Sequence, residues 1–240
     1  MYDFKHKNAI ITGAGKGIGR AVAQKLAQSN CNLLLLDIDE NGLKETKKLV
    51  NDYLVQVDTK VLDISNEKDV YDTVNEFVNK NGKVDILINN ASIYHTHFNF
   101  MDSTTEEWKN KINVNILGSV YMCKAVVNSM IENKYGRIIN LASVAGVYGD
   151  ASMVDYATTK GAIIAFTKSL AKEISKYNIT VNAVSPGSID VGAGNLPELS
   201  FMGRSGTPEE CANLIVFLAS DEASYISGQN YQVDGCRKKM

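Results

Sequence analysis

The chain has few cysteines, and none of them is clustered. Its 240 residues include four, Cys31, Cys123, Cys211 and Cys236, with no CxxC pair and no histidine close by. Disulfide frameworks and zinc sites need cysteines at short, repeated spacings, so this distribution argues against both. It is typical of the reduced, mostly packed thiols of a cytoplasmic protein.

Strong charge bias and long apolar runs are also missing. The net charge is −2, with both signs spread along the sequence, which gives no indication of a nucleic acid or an anionic membrane as partner. The N-terminus has no long apolar segment before the first predicted strand, and no window approaches the ~18 apolar residues of a membrane span. We therefore expect a soluble, cytoplasmic protein with no membrane and no nucleic acid among its partners.

Repeats, low-complexity tracts and linkers are absent from the sequence. Apolar strand-like runs alternate with helical patterns, which predicts one doubly wound parallel sheet of seven strands with helices on both faces, a Rossmann fold. We expect a single domain over residues 1–240. The length and glycines of residues 188–205 suggest a mobile lid over a substrate site.

A glycine-rich turn joins the first predicted strand, residues 7–12, to a helix. It runs Gly13-Ala14-Gly15-Lys16-Gly17-Ile18-Gly19, in the spacing Thr-Gly-x-x-x-Gly-x-Gly. Glycines let a backbone turn tightly and approach phosphates, and the N-terminus of the next helix presents free N–H groups. A purely structural tight turn has the same glycines, but the order of strand, turn and helix favours nucleotide binding.

The residue that ends the second predicted strand bears on the choice of cofactor. Asp37 follows the strand at 33–36 and lies eighteen positions after the last glycine, about where dinucleotide-binding units place a ribose-binding carboxylate. Such a carboxylate repels a 2′-phosphate, so NAD is predicted, and Asp39 adds negative charge. Lys16 argues for NADP, because a basic residue in the loop assists a 2′-phosphate. Asp37 could also merely end the strand or cap the helix starting near Glu40.

The order of elements between residues 52 and 63 is less clear. After a polar helix at 42–52, apolar runs at 54–57 and 60–64 predict strands, although part of this segment could be loop. Asp63 could lie near an adenine amino group or form a turn before the helix at 67–79. The next strand, 84–88, ends at Asn89-Asn90-Ala91-Ser92, whose small and amide residues would lie close to the cofactor.

The segment from Ile93 to Met101 is rich in aromatic residues and histidine. His95 and His97 alternate, but no cysteine or carboxylate nearby completes a metal site, so no metal is predicted. These side chains are expected to line the substrate entrance or to face water. In the long helix that follows from residue 104 or 105, Asn115 lies among apolar neighbours. A buried asparagine usually satisfies backbone groups, and a functional one would have to face the pocket.

The stretch from Ile138 to Lys160 carries the residues best suited to catalysis. An apolar strand at 137–141 ends near Ser143, on the carboxyl edge where open α/β sheets bind ligands, and a helix begins at about residue 154. Tyr156 and Lys160 are four positions apart and project from one face of that helix. An ammonium close to a phenol lowers its pKa, and the phenol can then exchange a proton with an alkoxide or alcohol. Taken alone, Tyr-x-x-x-Lys is more often an ordinary exposed pair.

Together these motifs resemble the short-chain dehydrogenase/reductase family, and within it the 3-oxoacyl-[acyl-carrier-protein] reductase group and relatives acting on sugars, polyols and small ketones. The resemblance covers essentially the whole chain. It is carried by eight pieces in family order: residues 12–19, Asp37, Asp63, Asn89-Asn90-Ala91, Asn115, Ser143, the Tyr156 to Lys160 motif and Pro186-Gly187.

The resemblance implies roles for particular residues. Tyr156 would be the proton donor or acceptor, and Ser143 would orient the substrate oxygen. Lys160 would lower the pKa of Tyr156 and hold the nicotinamide ribose, while Asn115 would hold a water in a proton relay. The implied cofactor-binding set is Gly13, Gly15, Lys16, Gly17, Ile18, Gly19, Asp37, Asp63, Ile64, Asn89, Ala91, Tyr156, Lys160, Pro186, Gly187 and Ile189.

The sequence departs from the family pattern at several places. Ser92 replaces a glycine, which is tolerable if its backbone is not at positive φ. Val191 replaces a common threonine, so one cofactor hydrogen bond would be lost, and Cys236 replaces the second glycine of a terminal Asp-Gly-Gly. The lid from Gly192 to Met202 is also short for the family, which could open the site or shift its closure to a neighbouring subunit.

Three functions follow as hypotheses. The first is an NAD-dependent dehydrogenase of a secondary alcohol or reductase of a ketone, and the second is an NADPH-dependent 3-oxoacyl-[acyl-carrier-protein] reductase. Asp37 and the near-neutral charge speak against the second, because an acyl-carrier reductase would need NADP and a basic docking surface. The third is a non-catalytic cofactor-binding protein. The resemblance also implies a homotetramer or homodimer that pairs the helices carrying Asn115 and Tyr156, with a second contact near the C-terminus.

Overall fold

The structure is a computed structural model that describes residues 2–94, 99–192 and 194–238. Its strands are β1 (Asn8–Thr12), β2 (Asn32–Asp37), β3 (Val57–Val61), β4 (Ile86–Asn89), β5 (Gly136–Leu141), β6 (Ile179–Pro186) and β7 (Asn230–Val233). They form one seven-stranded sheet in the order β3-β2-β1-β4-β5-β6-β7, with every neighbouring pair parallel. The predicted parallel sheet is confirmed.

Helices cover both faces of this sheet. They are α1 (Gly17–Gln28), α2 (Glu40–Val50), α3 (Glu67–Asn81), α4 (Thr105–Ile112), α5 (Ser119–Glu132), α6 (Ala145–Tyr148), α7 (Val154–Ile174) and α8 (Pro208–Ala219). Successive strand residues point to opposite faces. Ile11 belongs to the core under α1, α2 and α8, whereas Ile10 belongs to the core under α3, α5 and α7. Burial on both faces explains why the central strands are continuous apolar runs.

The order of the strands reverses at β1, which lies between β2 and β4. Ile10 pairs with Leu34 on one side, and Ile11 pairs with Ile88 on the other. At such a reversal the connections leave in opposite directions, so a crevice opens at the carboxyl ends of the strands. The glycine turn after β1 and the turn that follows Asn89 both lie at this crevice.

The segment between α2 and α3 forms one strand, β3, so the prediction of separate strands at 54–57 and 60–64 was wrong. Residues 51–55 form turns and bends, and the side chain of Leu54 is fully exposed. β3 lies at the edge of the sheet and pairs only with β2. An edge strand has only one neighbouring strand and buries fewer of its side chains than a central strand. Apolar residues are therefore a poor guide to its position, and those before and after β3 lie outside the strand.

The long helix predicted from residue 104 or 105 is present but irregular. The Thr104 side chain caps α4, and residues Asn113–Gly118 form a π-helical segment before α5 begins. Such π turns interrupt the regular hydrogen bonds of a helix and occur often at functional sites. This one contains Asn115. At Gly118 the helix comes so close to the loop after β3 that a Cβ would lie 2.7 Å from Cδ1 of Ile64.

The same stretch, Thr105–Glu132, is long and apolar enough to cross a membrane by length and composition. The expectation that no window comes near a membrane span was therefore wrong for this stretch. Its residues Met122, Val126 and Met130 are buried in the core under α3, α5 and α7. A helix buried against a sheet needs an apolar surface for the same reason as a helix in lipid, because water is excluded from it.

Candidate active site

The glycine turn after β1 is held in a conformation that side chains would disrupt. Gly13 and Gly17 have φ of 63° and 54°, in the left-handed region that favours glycine. Gly19 has ordinary helical geometry, but a Cβ on it would lie only 2.1 Å from the carbonyl oxygen of Gly13. α1 starts here with no side-chain cap from Lys16 and no acidic residue in its first turn. The free N–H groups and bare backbone fit a pyrophosphate.

Two polar residues that belong to the sequence motifs, but to which sequence reasoning assigned no role of their own, fix this turn. The Asn90 amide donates to the carbonyl oxygens of Thr12 (3.0 Å) and Gly13 (2.9 Å). The Thr12 hydroxyl accepts from the backbone N–H groups of Asn90 and Ala91, both at 3.0 Å. Thr12 and Asn90 therefore connect the ends of β1 and β4. In the sequence, Asn90 could have been recognised as the second of two asparagines at the end of a buried strand.

Asp37 lies directly against the glycine turn. One carboxylate oxygen accepts from Gly15 N (2.8 Å), and the other accepts from Asp39 N (3.0 Å). The cap of α2 comes from Asp39, whose side chain accepts from the N–H groups of Asn41 and Gly42, so Asp37 is not needed as a helix cap. The half-buried Asp37 carboxylate borders the crevice, as a ribose-binding residue should, while Lys16 is exposed on the turn.

Three other predicted cofactor residues lie just after β3 and at the start of α1. Asp63 is exposed and its carboxylate accepts from the backbone and hydroxyl of Ser65, while Asn66 caps α3. Ile64 is buried and packs in the core, and Ile18 packs partly buried on the other face of the sheet. Asp63 thus forms a local turn and still has an exposed carboxylate. Ile64 and Ile18 can offer a cofactor backbone atoms, since their side chains are engaged in packing.

Asn89 turns its side chain into the protein. Its amide donates to Oδ1 of Asn140 (2.9 Å), and the Asn140 amide in turn donates to the hydroxyl of Thr167 (2.9 Å). Oδ1 of Asn89 is buried and has no hydrogen-bond partner. Contact between Asn89 and a cofactor would therefore come from the backbone at the end of β4. Ala91 follows with a small side chain, partly buried against the core.

Ser143, Tyr156 and Lys160 come together beyond the end of β5, as the sequence predicted. Ser143 lies just after this strand, and its hydroxyl accepts from Ala145 N (3.2 Å) and lies near enough to the phenol of Tyr156 to influence its pKa. Tyr156 and Lys160 lie on α7 with exposed fractions of 9 % and 3 %. Nζ of Lys160 donates to the carbonyl oxygen of Leu141 (2.7 Å) and lies 5.6 Å from the centre of the Tyr156 ring.

Burial dominates the acid–base properties of this group. Loss of water raises the pKa of Tyr156 to about 12, although the nearby Ser143 hydroxyl acts in the opposite direction. Loss of water also lowers the pKa of Lys160 to about 7. Lys160 is not among the groups that shift the pKa of Tyr156 in this structure, so its predicted lowering of that pKa stays a prediction. With a pKa of about 7, the amine is uncharged at the higher pH at which the phenol ionises, and it does not offset the desolvation of the phenol there.

A second aromatic ring packs against that of Tyr156. Tyr94 lies in the segment after β4, and its ring meets that of Tyr156 at 5.1 Å and an angle of 77°. More than half of the Tyr94 side chain is exposed. His95 and His97 lie outside the described residues. Within the described ranges no group of three or more His, Cys, Asp or Glu residues could hold a metal ion.

Asn115 uses its whole side chain as a structural connection. Oδ1 accepts from Ile93 N (2.7 Å), and Nδ2 donates to Ile93 O (3.1 Å) and to the hydroxyl of Thr159 (3.1 Å). The π-helical segment is thereby joined to the loop after β4 and to α7, one residue before Lys160. The side chain of Asn115 does not reach toward the substrate position, so a catalytic contribution would have to come from its backbone.

The turn after β6 brings the start of the lid over the glycine turn. Pro186 ends β6, and Gly187 lets the backbone approach Asp234, whose Cα would lie 2.8 Å from a Cβ at this position. Ile189 forms a bridge with Gly206. Val191 then reaches within 3.3 Å of where a Cβ on Gly17 would be. The predicted cofactor residues Pro186, Gly187 and Ile189 thus border the same crevice as the glycine turn.

The lid itself is tied down by hydrogen bonds at its base. Ser205 accepts from Leu196 N (2.9 Å), its own N–H donates to Oδ1 of Asn195 (2.6 Å), and its hydroxyl meets that of Ser188 (3.1 Å). Residues Phe201 and Met202 are more than two-thirds exposed and lie next to the C-terminal segment, to which their backbone is hydrogen-bonded. The outer part of the lid therefore presents apolar side chains to solvent.

Two of the departures from the family pattern have structural consequences. Ser92 is not among the described non-glycine residues with positive φ, so the backbone there does not require glycine. Cys236 has φ of 56°, in the left-handed region, and its side chain is exposed. The cysteine therefore occupies a conformation that would suit glycine better.

Comparisons with known proteins agree with this geometry. The sequence model of the family described as enoyl-(acyl carrier protein) reductase matches residues 13–236. The 3-oxoacyl-[acyl-carrier-protein] reductase of Thermotoga maritima is 37% identical over 238 residues, covering 95% of this chain and 96% of that protein.

Solved structures show the same fold over nearly the full length. Levodione reductase matches with a TM-score of 0.92 and 29% identity, covering 97% of both chains. NAD+-bound xylitol dehydrogenase matches with a TM-score of 0.91 and 33% identity, covering 97% of this chain and 99% of the other. The chain belongs to the short-chain dehydrogenase/reductase family, and it is an oxidoreductase that uses a nicotinamide cofactor and acts on CH–OH or keto groups.

Proposed function

We propose that this protein is an NAD(H)-linked enzyme that interconverts a secondary alcohol and a ketone. The observation that carries the proposal is the position of Asp37, whose carboxylate borders the crevice and is bonded to Gly15 of the glycine turn. Ribose hydroxyls can donate hydrogen bonds to this carboxylate, whereas a 2′-phosphate would meet like charge. The similarity to an NAD+-bound xylitol dehydrogenase supports the same choice.

The residues around the crevice fit such a cofactor. In the proposal the pyrophosphate lies on the glycine turn and the N-terminus of α1, and the adenosine end lies near Asp37 and Asp63. The rest of the cofactor would be bordered by the backbone at Asn89 and Ala91, by the turn at Pro186 and Gly187, and by Ile189. Val191, which reaches over Gly17, offers an apolar surface and no hydrogen bond.

Proton transfer is assigned to Tyr156. Its phenol and the hydroxyl of Ser143 lie close to each other, so both can donate a hydrogen bond to one substrate oxygen. The cofactor, when bound, supplies or accepts the hydride. A phenol with a raised pKa stays protonated at neutral pH, which suits the direction in which it donates to a developing alkoxide.

Lys160 and Asn115 support this step. Lys160 is proposed to hold the nicotinamide ribose and to exchange protons with the Tyr156 side of the site, which a pKa of about 7 favours near neutral pH. The Asn115 side chain is fully engaged by Ile93 and Thr159, so its carbonyl oxygen in the π-helical segment is the group proposed to hold a relay water.

Apolar side chains next to Tyr156 and on the lid favour a substrate with an apolar portion. Tyr94 lies on Tyr156, and the exposed Phe201 and Met202 belong to the lid at 188–205. We propose that this lid, within a single domain that spans residues 1–240, closes over the substrate. Its hydrogen-bonded base at Ser205 would then act as the fixed end of the motion.

A second candidate is an NADPH-dependent 3-oxoacyl-[acyl-carrier-protein] reductase. The 37% identity to a relative with that name favours it, as does the exposed Lys16 on the glycine turn, which could pair with a 2′-phosphate. Asp37 stands against it for the electrostatic reason given above. The third sequence-based hypothesis, a non-catalytic protein, does not agree with an intact Ser143, Tyr156 and Lys160 group in a family of oxidoreductases.

Assembly and location belong to the same proposal. We infer a homotetramer or homodimer in the cytoplasm, paired through the helices that carry Asn115 and Tyr156, with a small-molecule substrate and no nucleic acid or membrane partner. The family resemblance supports this assembly, and the absence of clustered cysteines supports a reducing compartment.

Parallel titrations with NADH and NADPH, followed by cofactor fluorescence, test the choice of cofactor. We expect the wild type to bind NADH more tightly. In Asp37→Ala the preference should shrink or reverse by roughly 10- to 100-fold, because hydrogen bonds to a charged group contribute about 1.5–3 kcal/mol. Lys16→Ala is the matched control on the same turn and should leave NADH affinity nearly unchanged.

A clear NADPH preference in the wild type that Lys16→Ala removes would overturn the NAD assignment and favour the second candidate. Tyr156→Phe tests the proton-transfer assignment in the same preparations. It should keep cofactor binding and lose turnover of ketones with the preferred cofactor. Normal turnover in Tyr156→Phe would refute the role of this residue.

A further inference from the structure

A buried ion pair lies beside the catalytic tyrosine. Lys111, in the last turn of α4, meets the carboxylate of Asp155, in the first turn of α7, and their side chains are only 5% and 3% exposed. Every other ion pair in the described part of the chain has at least one partner with a side chain more than a fifth exposed. The Lys111–Asp155 pair is therefore unusual within this protein.

The carboxylate of Asp155 has two partners at once. One oxygen meets Nζ of Lys111, and the other accepts from the backbone N–H of Tyr156 at 2.6 Å. Met153, the residue that precedes α7, provides no side-chain cap. The first turn of α7, which carries the catalytic phenol, is thus connected through one carboxylate to a lysine on another helix.

A second connection lies one helical turn further along both segments. Asn115 is four residues after Lys111, and Thr159 is four residues after Asp155. The amide of Asn115 donates to the hydroxyl of Thr159 at 3.1 Å. Residues four apart lie on one helix face, so the two contacts form successive links between the same faces. Together they fix both the distance and the register between α7 and the helix that contains Asn115.

Stability alone does not explain a buried pair of this kind. Removing two charges from water is costly, and replacing a buried ion pair with apolar residues is often neutral or stabilising. What a charge pair adds is a defined geometry, because the charges are satisfied only at contact. The proposed reaction requires a defined geometry, since the phenol of Tyr156 has to remain close to the hydroxyl of Ser143.

We propose that the Lys111–Asp155 ion pair is a positioning device that holds the start of α7, and with it the phenol of Tyr156, in register with Ser143. The inference rests on the proposed role of Tyr156 in proton transfer. In this proposal Lys111 and Asp155 are positioning residues. They act through the backbone of the catalytic residue.

The test separates stability from positioning. Lys111→Met leaves the Asp155 charge buried without its partner and should lower the melting temperature, whereas Lys111→Met/Asp155→Leu removes both charges and should restore it. Turnover of ethyl acetoacetate with the preferred cofactor should fall by about 10²-fold in the double variant, because a displacement of ~1 Å at a reacting group has that effect. KM and cofactor affinity should change little.

A measurement without substrate or cofactor accompanies this assay. The tyrosinate absorbance step of Tyr156, obtained by difference against the same proteins carrying Tyr156→Phe, should move in the double variant from about 12 toward the ordinary tyrosine value. Burial is what raises this pKa, and a phenol released from its position regains water. Lys83→Met is the matched control, since it removes a lysine from the buried Asp85 outside the catalytic group and should leave the step unchanged.

Each outcome decides the question. A double variant that is as stable as the wild type, retains its turnover and keeps the Tyr156 step would show a merely structural pair and overturn the inference. A stable double variant with lost turnover and a lowered step supports it. If Tyr156→Phe itself retained turnover, the proposed function would fail. The absorbance step would still report whether the pair positions the phenol.

Discussion

Replacing the buried lysine of the catalytic group should make the folded protein more stable at low pH. Lys160 is 3% exposed, and burial lowers its pKa from 10.5 to about 7. Because the unfolded chain binds the proton more tightly than the folded one, the charged amine destabilises the fold. This effect is complete below about pH 7 and is relieved as the pH rises toward 10.5. Lys160→Met keeps the length of the side chain and removes the charge.

The size of the effect follows from the two pKa values. With 10.5 for the unfolded chain and about 7 for the folded protein, the Lys160 charge disfavours folding by several kcal/mol at pH 6.5 and by about 1 kcal/mol at pH 9.5. The wild type should therefore gain about 3 kcal/mol relative to Lys160→Met over this range. Effects of the substitution that do not depend on the protonation of Lys160 shift the comparison by a constant.

The assay is urea unfolding of both proteins at several pH values between 6.5 and 9.5. The quantity to plot is the difference between their free energies of unfolding, because contributions from other titrating groups cancel in it. We expect this difference to move in favour of the wild type as the pH rises. A difference that stays constant, or moves the other way, would refute the view that Lys160 is held in a water-free site with a lowered pKa.

Two further substitutions test the backbone geometry. Gly19→Ala places a Cβ 2.1 Å from Gly13 O, so it should weaken binding of the dinucleotide at least 10-fold and lower the free energy of unfolding by about 1–3 kcal/mol. Gly161→Ala is its control, because the nearest atom to the added Cβ lies 3.5 Å away, and cofactor titration with urea unfolding checks both. Cys236→Gly should raise the free energy of unfolding by roughly 0.5–1 kcal/mol, since φ of 56° strains a cysteine. Cys236→Ala keeps that strain and should show no such gain in thermal unfolding.

Local patterns were sufficient for most of the fold. Apolar runs bounded by turn residues predicted the parallel sheet, because strands buried on both faces need apolar residues at every position. The exception was β3, the edge strand, whose half-exposed residues carry no such continuous pattern. The membrane-span expectation failed for a related reason, since composition does not distinguish a helix buried by protein from one buried by lipid.

The candidate site divides in the same way. Several parts of the site could be recognised from the sequence because each needs a particular residue type at a fixed distance along one element. They are the glycine spacing, Asp37, and the pattern of Ser143, Tyr156 and Lys160. The role of Asn90 and Thr12 in fixing the turn was not predicted, because they contact each other's segments across the sheet, more than 70 residues apart in sequence. The direction of the Asn89 side chain was likewise invisible, since it depends on which face of β4 meets α5.

The sequence by itself determined the class of chemistry, since residue types and their spacing along single elements specify a nucleotide turn and a tyrosine–lysine helix. Only the tertiary structure decided how those residues behave. Burial raises the pKa of Tyr156, whereas its spacing from Lys160 had suggested a lowered one, and burial also lowers the pKa of Lys160. The contact between Lys111 and Asp155 also exists only in the folded chain. Desolvation and contacts between distant segments depend on the whole packed protein, so no local pattern records them.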